Sequence, residues 1–276
     1  MNDSSRNAAI ATAPTFRGAT RLRANAVALA TITRREVRRV LRIWTQTLVP
    51  PAITMMLYFV IFGKIIGSRV GSMQGFTYMQ YIVPGLVMMS IINNCYSNIT
   101  SSFFGSKFGR YVEELLASPM PSWVVLTGYV AGAVLRGLLV GIIVLGIALF
   151  FTSLHVAHPL VAITTVILGA TIFALAGFIN AMFAKRFDDI AIVPTFVLAP
   201  LTYLGGVFYS VNMLGTPWRE ISLANPILYM VNAFRFGILG VADVSVWVAY
   251  VVMLAFVLGL GAFALWLLHK GVGLRS

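Results

Sequence analysis

Charge is scarce in this chain. Of 276 residues, 10% are charged and 59% hydrophobic, and the mean hydropathy is +0.89. A soluble domain carries about 25% charged residues, so a single large water-soluble core is excluded and lipid is the implied solvent. Acidic residues are scarcest, eight against twenty Lys and Arg, for a net charge of +12. A single cysteine, Cys95, excludes an intrachain disulfide and a Cys-based metal site. It stands in an apolar run, where it reads as a small hydrophobe. The three histidines, at 155, 158 and 269, form no HExxH pair, and there is no GxSxG nucleophile elbow. Glu113 and Glu114 are helical neighbours pointing about 100° apart, so they do not share a site as an acid–base pair. No residue set for metal-dependent or covalent catalysis is recognisable.

A P-loop is missing too. Only one of four lysines, Lys64, follows a glycine, with Tyr58 where the first P-loop glycine belongs and Ile65 in place of the Ser or Thr. Any ATPase that drives this chain is another polypeptide, so ATP and Mg are not expected on it. No cleavable leader is recognisable in the first 45 residues, and the first span is expected to serve as the signal.

The basic residues are unevenly placed. Nine lie in the first 42 positions: Arg6, Arg17, Arg21, Arg23, Arg34, Arg35, Arg38, Arg39 and Arg42. A basic tail beside apolar spans suits anionic headgroups. No nucleic-acid motif accompanies it, so membrane lipid is the expected partner and nucleic acid is not. Thr33 and Glu36 have capping-box spacing. Val37, Val40, Leu41 and Trp44 follow on one helical face, with Arg34, Arg35, Arg38 and Arg42 on the other. A helix lying in the membrane interface accounts for both faces; a solvated helix docked on protein is the alternative.

Six spans are expected, at about 46–63, 79–104, 123–151, 159–184, 189–210 and 245–268, judged against the ~20 apolar residues that cross a bilayer. Pro50 and Pro51 fall in the expected opening turns of the first. Residues 1–45 then form a tail with an interfacial helix, and 46–276 form the membrane domain. With the N-terminus inside, fifteen basic residues lie on the cytosolic side, while Lys64, Arg69, Arg219 and Arg235 fall outside. Both termini are therefore expected in the cytosol. The region 211–243, punctuated by Gly215, Pro217 and Pro226, is too polar to span and suits short helices dipping in from the outer face. No internal repeat supports an inverted-repeat carrier.

Between the second and third spans lies "FGRYVEELLASPMPSW", residues 108–123. Phe108, Tyr111, Val112 and Leu115 take one helical face, while Arg110 and Glu114 pair at i, i+4. Pro119 and Pro121 stop the helix, and Trp123 marks re-entry into the interface. Docking to a soluble partner and resting on headgroups both fit it. Within the second span, Ser90, Asn94, Ser97 and Ser101 form a polar stripe beside Asn98, suited either to helix packing or to lining a pathway. Arg136, deep in the third span, needs a partner or a cavity. Gly128/Gly132 and Gly137/Gly141 have the spacing of close helix approach.

The order of these pieces resembles a known family across nearly the whole chain after about residue 28. The pieces are "RIWTQTLVPPAITMMLYFVIFG", "FTYMQYIVPGLVMM", "KFGRYVEELLASPMPSW", "FAKRFDDIAIVPTFVLAPLTYLGGVFYS" and "LANPILYMVNAFRFG". Together they resemble the ABC-2 family of ATP-binding-cassette permeases, and bacterial inner-membrane members in particular. The resemblance implies an all-α membrane protein with six spans and short outer re-entrant helices. It implies a permease working as two copies with two separate ATPase subunits, which hold the ATP and Mg. Lys107 to Ser118 would be the coupling helix, with Phe108, Tyr111, Val112 and Leu115 in the ATPase cleft and Arg110, Glu113 and Glu114 at its rim. The helix from Thr33 to Trp44 would approach the ATPase, and Asn225 and Pro226 would belong to the outer cap. The family's cargo varies widely, so a hydrophobic or amphipathic substrate moved outward is the expectation. A gradient-driven carrier and a non-transporting membrane scaffold are the alternatives.

Overall fold

The computed structural model describes residues 18–112 and 120–273. The first helix, α1 (Gly18–Arg42), is rich in Ala, Leu and Arg, all good helix formers. It begins well before Thr33, so Thr33 and Glu36 sit inside it and the expected capping box does not form. A capping box does form at Thr77 and Gln80, each side chain accepting from the other's backbone amide. After a turn at Ile43 comes α2 (Trp44–Val70), with wider π-helical turns over Phe59–Ile66. Pro50 and Pro51 lie in its second turn, just past the first-turn amides that have no intrahelical partner.

A two-stranded hairpin, Ser72–Met73 with Phe76–Thr77, leads into α3 (Tyr78–Phe108), whose 31 residues form the centre of the molecule. Around it pack α4 (Ser122–Ala148), α5 (Pro159–Phe183) and α2. Then come α6 (Asp189–Tyr203), α7 (Trp218–Leu223), α8 (Pro226–Leu239) and α9 (Val246–Lys270).

Among the described residues four helices, α2, α4, α5 and α9, are long and apolar enough to cross a membrane. They coincide with the first, third, fourth and last expected spans. The second falls on α3, which is long enough but carries the Asn and Ser side chains of its polar stripe. The fifth is corrected: the helix stops at Tyr203, and no α-helix continues through Ser210. The short α6 and α8 are apolar but below the ~20 residues a span needs.

The four spaced glycines do packing work. A Cβ on Gly128 would run into Ile32 and one on Gly132 into Glu36, both on α1. On Gly137 and Gly141 it would meet Cys95 and Ile91 of α3. These missing side chains let α4 lie close to two helices at once. The contacts Ile32–Gly128 and Glu36–Gly132 advance together, so α1 runs alongside α4 in the same direction. Its buried stripe is Ile32, Glu36 and Val40, while Leu41 and Trp44 are exposed. The expected face of Val37, Val40, Leu41 and Trp44 is thus split, because the protein side of α1 holds an acidic residue that an apolar pattern cannot register.

Candidate functional site

Two ends of the bundle differ. The basic end holds α1, the α3–α4 connection and the α5–α6 turn. There α3 offers Asn94, Asn98, Ser102 and Ser106 at four-residue intervals, one face of a helix. Opposite stand Arg35, Glu36 and Arg39 of α1, and Tyr129 and Arg136 of α4. Glu36 is buried and accepts from Ser102 Oγ at 2.6 Å, with Arg39 Nη2 at 3.0 Å and Arg35 Nη2 at 3.3 Å. Arg35 Nη2 donates to the Tyr129 hydroxyl at 2.6 Å, which donates to Ser106 Oγ at 3.0 Å.

Deeper in, Asn98 Oδ1 accepts from two guanidiniums, Arg39 at 2.8 Å and Arg136 at 3.2 Å. Asn94 Oδ1 accepts from Arg136 at 3.4 Å. Arg136 therefore meets amide oxygens, not a carboxylate. An Arg at mid-span costs on the order of 2.5–3.5 kcal/mol unless compensated, and three neighbouring N–H groups, Arg39 Nε, Arg136 Nε and Asn98 Nδ2, have no partner. The predicted stripe divides here: Ser90 and Asn94 are buried and Ser97 and Ser101 exposed, because the inward register is that of Asn98 and Ser102. Outside the network opens a groove of about 940 Å³ lined by Arg34, Arg35, Arg38, Arg39, Arg42 and hydroxyls of α3 and Tyr111.

The expected coupling stretch is not one helix. Phe108 ends α3, and Gly109 and Arg110 form a turn, with Arg110 at φ 59°. Helix resumes at Tyr111, so Phe108 and Arg110 do not share a helical face with Tyr111 and Val112. Glu113, Glu114 and Leu115 lie outside the described residues. Val112 is buried, but Tyr111 is 61% and Phe108 66% exposed. Phe108 packs edge-on against Phe187 of the α5–α6 turn, itself 55% exposed. Lys107 does something else: its Nζ donates to the carbonyls of Met182 and Ala184, both at 2.7 Å, closing the C-terminus of α5.

At the opposite end, Asn225 caps α8 by accepting from the Ile227 amide at 3.0 Å, with Pro226 at the first helical position. Its amide also donates to Leu201 O at 2.5 Å, tying α8 to α6. Sequence reasoning missed the centre of this end. Arg235 is fully buried over the Tyr81 ring and donates to Gly206 O at 2.6 Å. Asp243, 4.0 Å from Arg235, accepts from Ser210 Oγ and Gln74 Nε2 at 2.6 Å and from the Val211 amide at 3.0 Å. An Arg and an Asp in a polar, interrupted segment were the available signal.

Membrane-length apolar helices around a polar-striped central one, with no nucleotide-binding motif, define a multi-pass permease domain. The chain belongs to the ABC-2 type transporter family, which it matches over residues 27–239; this membrane domain lacks the nucleotide-binding ATPase. It is 54% identical over 250 residues to the inner membrane transport permease YadH of Escherichia coli K12, covering 91% of this chain and 98% of that one. It is 25% identical over 191 residues to nodulation protein J of Rhizobium meliloti, covering 67% and 71%. It is thus a homologue of an inner-membrane permease with several membrane-length helices. Among the described residues no three His, Cys, Asp or Glu side chains gather as metal ligands.

Proposed function

We propose that this chain is the membrane subunit of an ABC exporter that moves a hydrophobic or amphipathic substrate outward across the cytoplasmic membrane. Two copies pair with two ATPase subunits, which hold ATP and Mg, and six segments cross the bilayer with both termini in the cytosol: α2 to α5, α9, and the short α6 together with the non-helical stretch that follows it to Ser210. The observation that carries this is the exposed aromatic corner of Phe108, Tyr111 and Phe187 at the basic end. Large aromatics left bare beside the buried Val112 are what a protein partner's pocket covers. The adjoining segment, 113–118, would complete the contact with Glu113, Glu114 and Leu115.

In the working cycle, ATP binding closes the ATPase pair and draws the two coupling segments together, favouring an outward-open arrangement; hydrolysis resets it. Such a shift requires ATP-bound partners to interact more favourably with one arrangement than the other. The test is co-purification with an ATPase encoded beside the permease. Charge reversal by E113K with E114K is expected to weaken the complex and its ATP turnover while leaving membrane insertion intact. Full ATPase binding by that variant would remove these residues from the interface. Continued export in cells lacking every candidate ATPase would favour a gradient-driven carrier.

A further inference from the structure

Six guanidiniums gather at the basic end around one carboxylate. Arg34, Arg35, Arg38, Arg39 and Arg42 line the groove between α1 and α3, and Arg136 lies just behind it, sharing the Asn98 side-chain oxygen with Arg39. Glu36 is already engaged by Arg35, Arg39 and Ser102. Among the described residues no other acid is paired with any of these arginines. Like charges converging on a partly buried point repel more strongly than in bulk water, and among the described residues these guanidiniums share a single carboxylate.

The donors show what kind of anion fits. Behind the groove wall, Asn98 is 1% exposed and its Nδ2 has no partner, nor have Arg39 Nε and Arg136 Nε, so the inner side of the wall supplies no acceptor to these N–H groups. Ser101, Ser106 and Tyr111 add hydroxyls to the groove wall. The first 42 residues hold nine Arg and no Lys. A planar fork of five donors suits the several oxygens of a phosphate group, whereas a diffuse basic field needs only point charges. Beside the groove, sharing Arg34 and Arg38, a trough of about 640 Å³ runs along Leu29, Ala30 and Val37. Headgroup donors and an apolar strip therefore adjoin each other.

We propose that this groove binds the phosphate headgroup of an anionic amphiphile. The proposal deepens the export function and rests on it only for the fate of the amphiphile once bound. The amphiphile is either a bilayer phospholipid or an exported phosphate-bearing lipid, since both present the same group.

The experiment reads binding to the permease in phosphatidylcholine nanodiscs doped with phosphatidylglycerol, using native mass spectrometry to identify retained lipid. Wild type is expected to retain phosphatidylglycerol over phosphatidylcholine by about tenfold, the scale of lost charge-assisted hydrogen bonds. R39Q, and independently the lip variant R38Q, are expected to lower that preference, R39K to lower it too because an ammonium lacks the planar fork, and R219Q at the opposite end to leave it unchanged. Absence of preference in wild type, or an equal fall in R219Q, would overturn the site. Reconstitution with the ATPase then separates the sources. ATP-driven movement of phosphatidylglycerol between leaflets makes the phospholipid itself the cargo. Retention without movement makes it a resident ligand of the same site. ATP turnover that fails to respond to the permease while binding persists would count against the export function alone.

Discussion

Glu36 is the residue on which the basic end depends. It is buried against the gap left by Gly132, and its oxygens hold Ser102, Arg39 and Arg35. Removing one member of a buried pair is costly because the remaining charge stays in place; 3–5 kcal/mol is the range for fully buried pairs. Here both arginines are partly exposed, at 32% and 45%, so solvent screens them and about 1–3 kcal/mol is expected for Glu36→Ala. Glu36→Gln, which keeps an acceptor for Ser102, is expected to lose less. Thermal unfolding of the two variants in detergent decides it, and equal stability to wild type would remove Glu36 from any structural role. Sequence could not reveal this residue. Thr33 and Glu36 have the spacing of a helix start, and only the helical run from Gly18 onward, with Gly132 facing it, turns a surface carboxylate into a buried one.

At the scale of elements, the helices were legible because long apolar runs are bounded by Pro, Gly and charge; α4, α5 and α9 lie within three residues of their expected bounds. What escaped were places where the chain obeys a partner element instead of its own pattern. The stretch after α3 has continuous helical spacing, yet Gly109 and Arg110 break it, between Lys107, which holds the end of α5, and Val112, which enters the core. That break turns Phe108 and Tyr111 outward. If they form the ATPase contact, Phe108→Ala and Tyr111→Ala should each weaken ATPase binding by about 1–2 kcal/mol or more, as aromatic anchors do. Neither should lower the unfolding temperature appreciably, since exposed side chains contribute little to folding. Surface plasmon resonance with the purified ATPase, alongside thermal unfolding, tells the two effects apart. A loss of stability equal to the loss of binding would make the aromatics structural.

For the whole molecule, sidedness and closure come from different residues. The uneven basic residues predicted orientation, but Arg235, counted among the outer ones, is fully buried and reports nothing about sidedness. Its task is closure. With Asp243 it joins α3 through Tyr81, the segment after α6 through Gly206 and Ser210, and the hairpin through Gln74. This end of the bundle is therefore pinned by one carboxylate that accepts from several elements at once. Asp243→Ala leaves a buried guanidinium without its counter-charge and is expected to cost about 3–5 kcal/mol. The double variant, Arg235→Met with Asp243→Ala, should be less destabilised than the sum of the two single variants, because each removes what makes the other costly. Cys95 is fully buried, so Asn212→Cys offers a label site with little background from the native thiol. A membrane-impermeant maleimide should reach Asn212→Cys from outside intact cells, and faster when Asp243 is Ala, because the segment that Ser210 and Val211 anchor is released. An unchanged labelling rate together with wild-type stability would mean that the carboxylate holds nothing. A label accepted only from the cytosolic side would invert the orientation of the entire bundle, and the basic end would no longer face the ATPase.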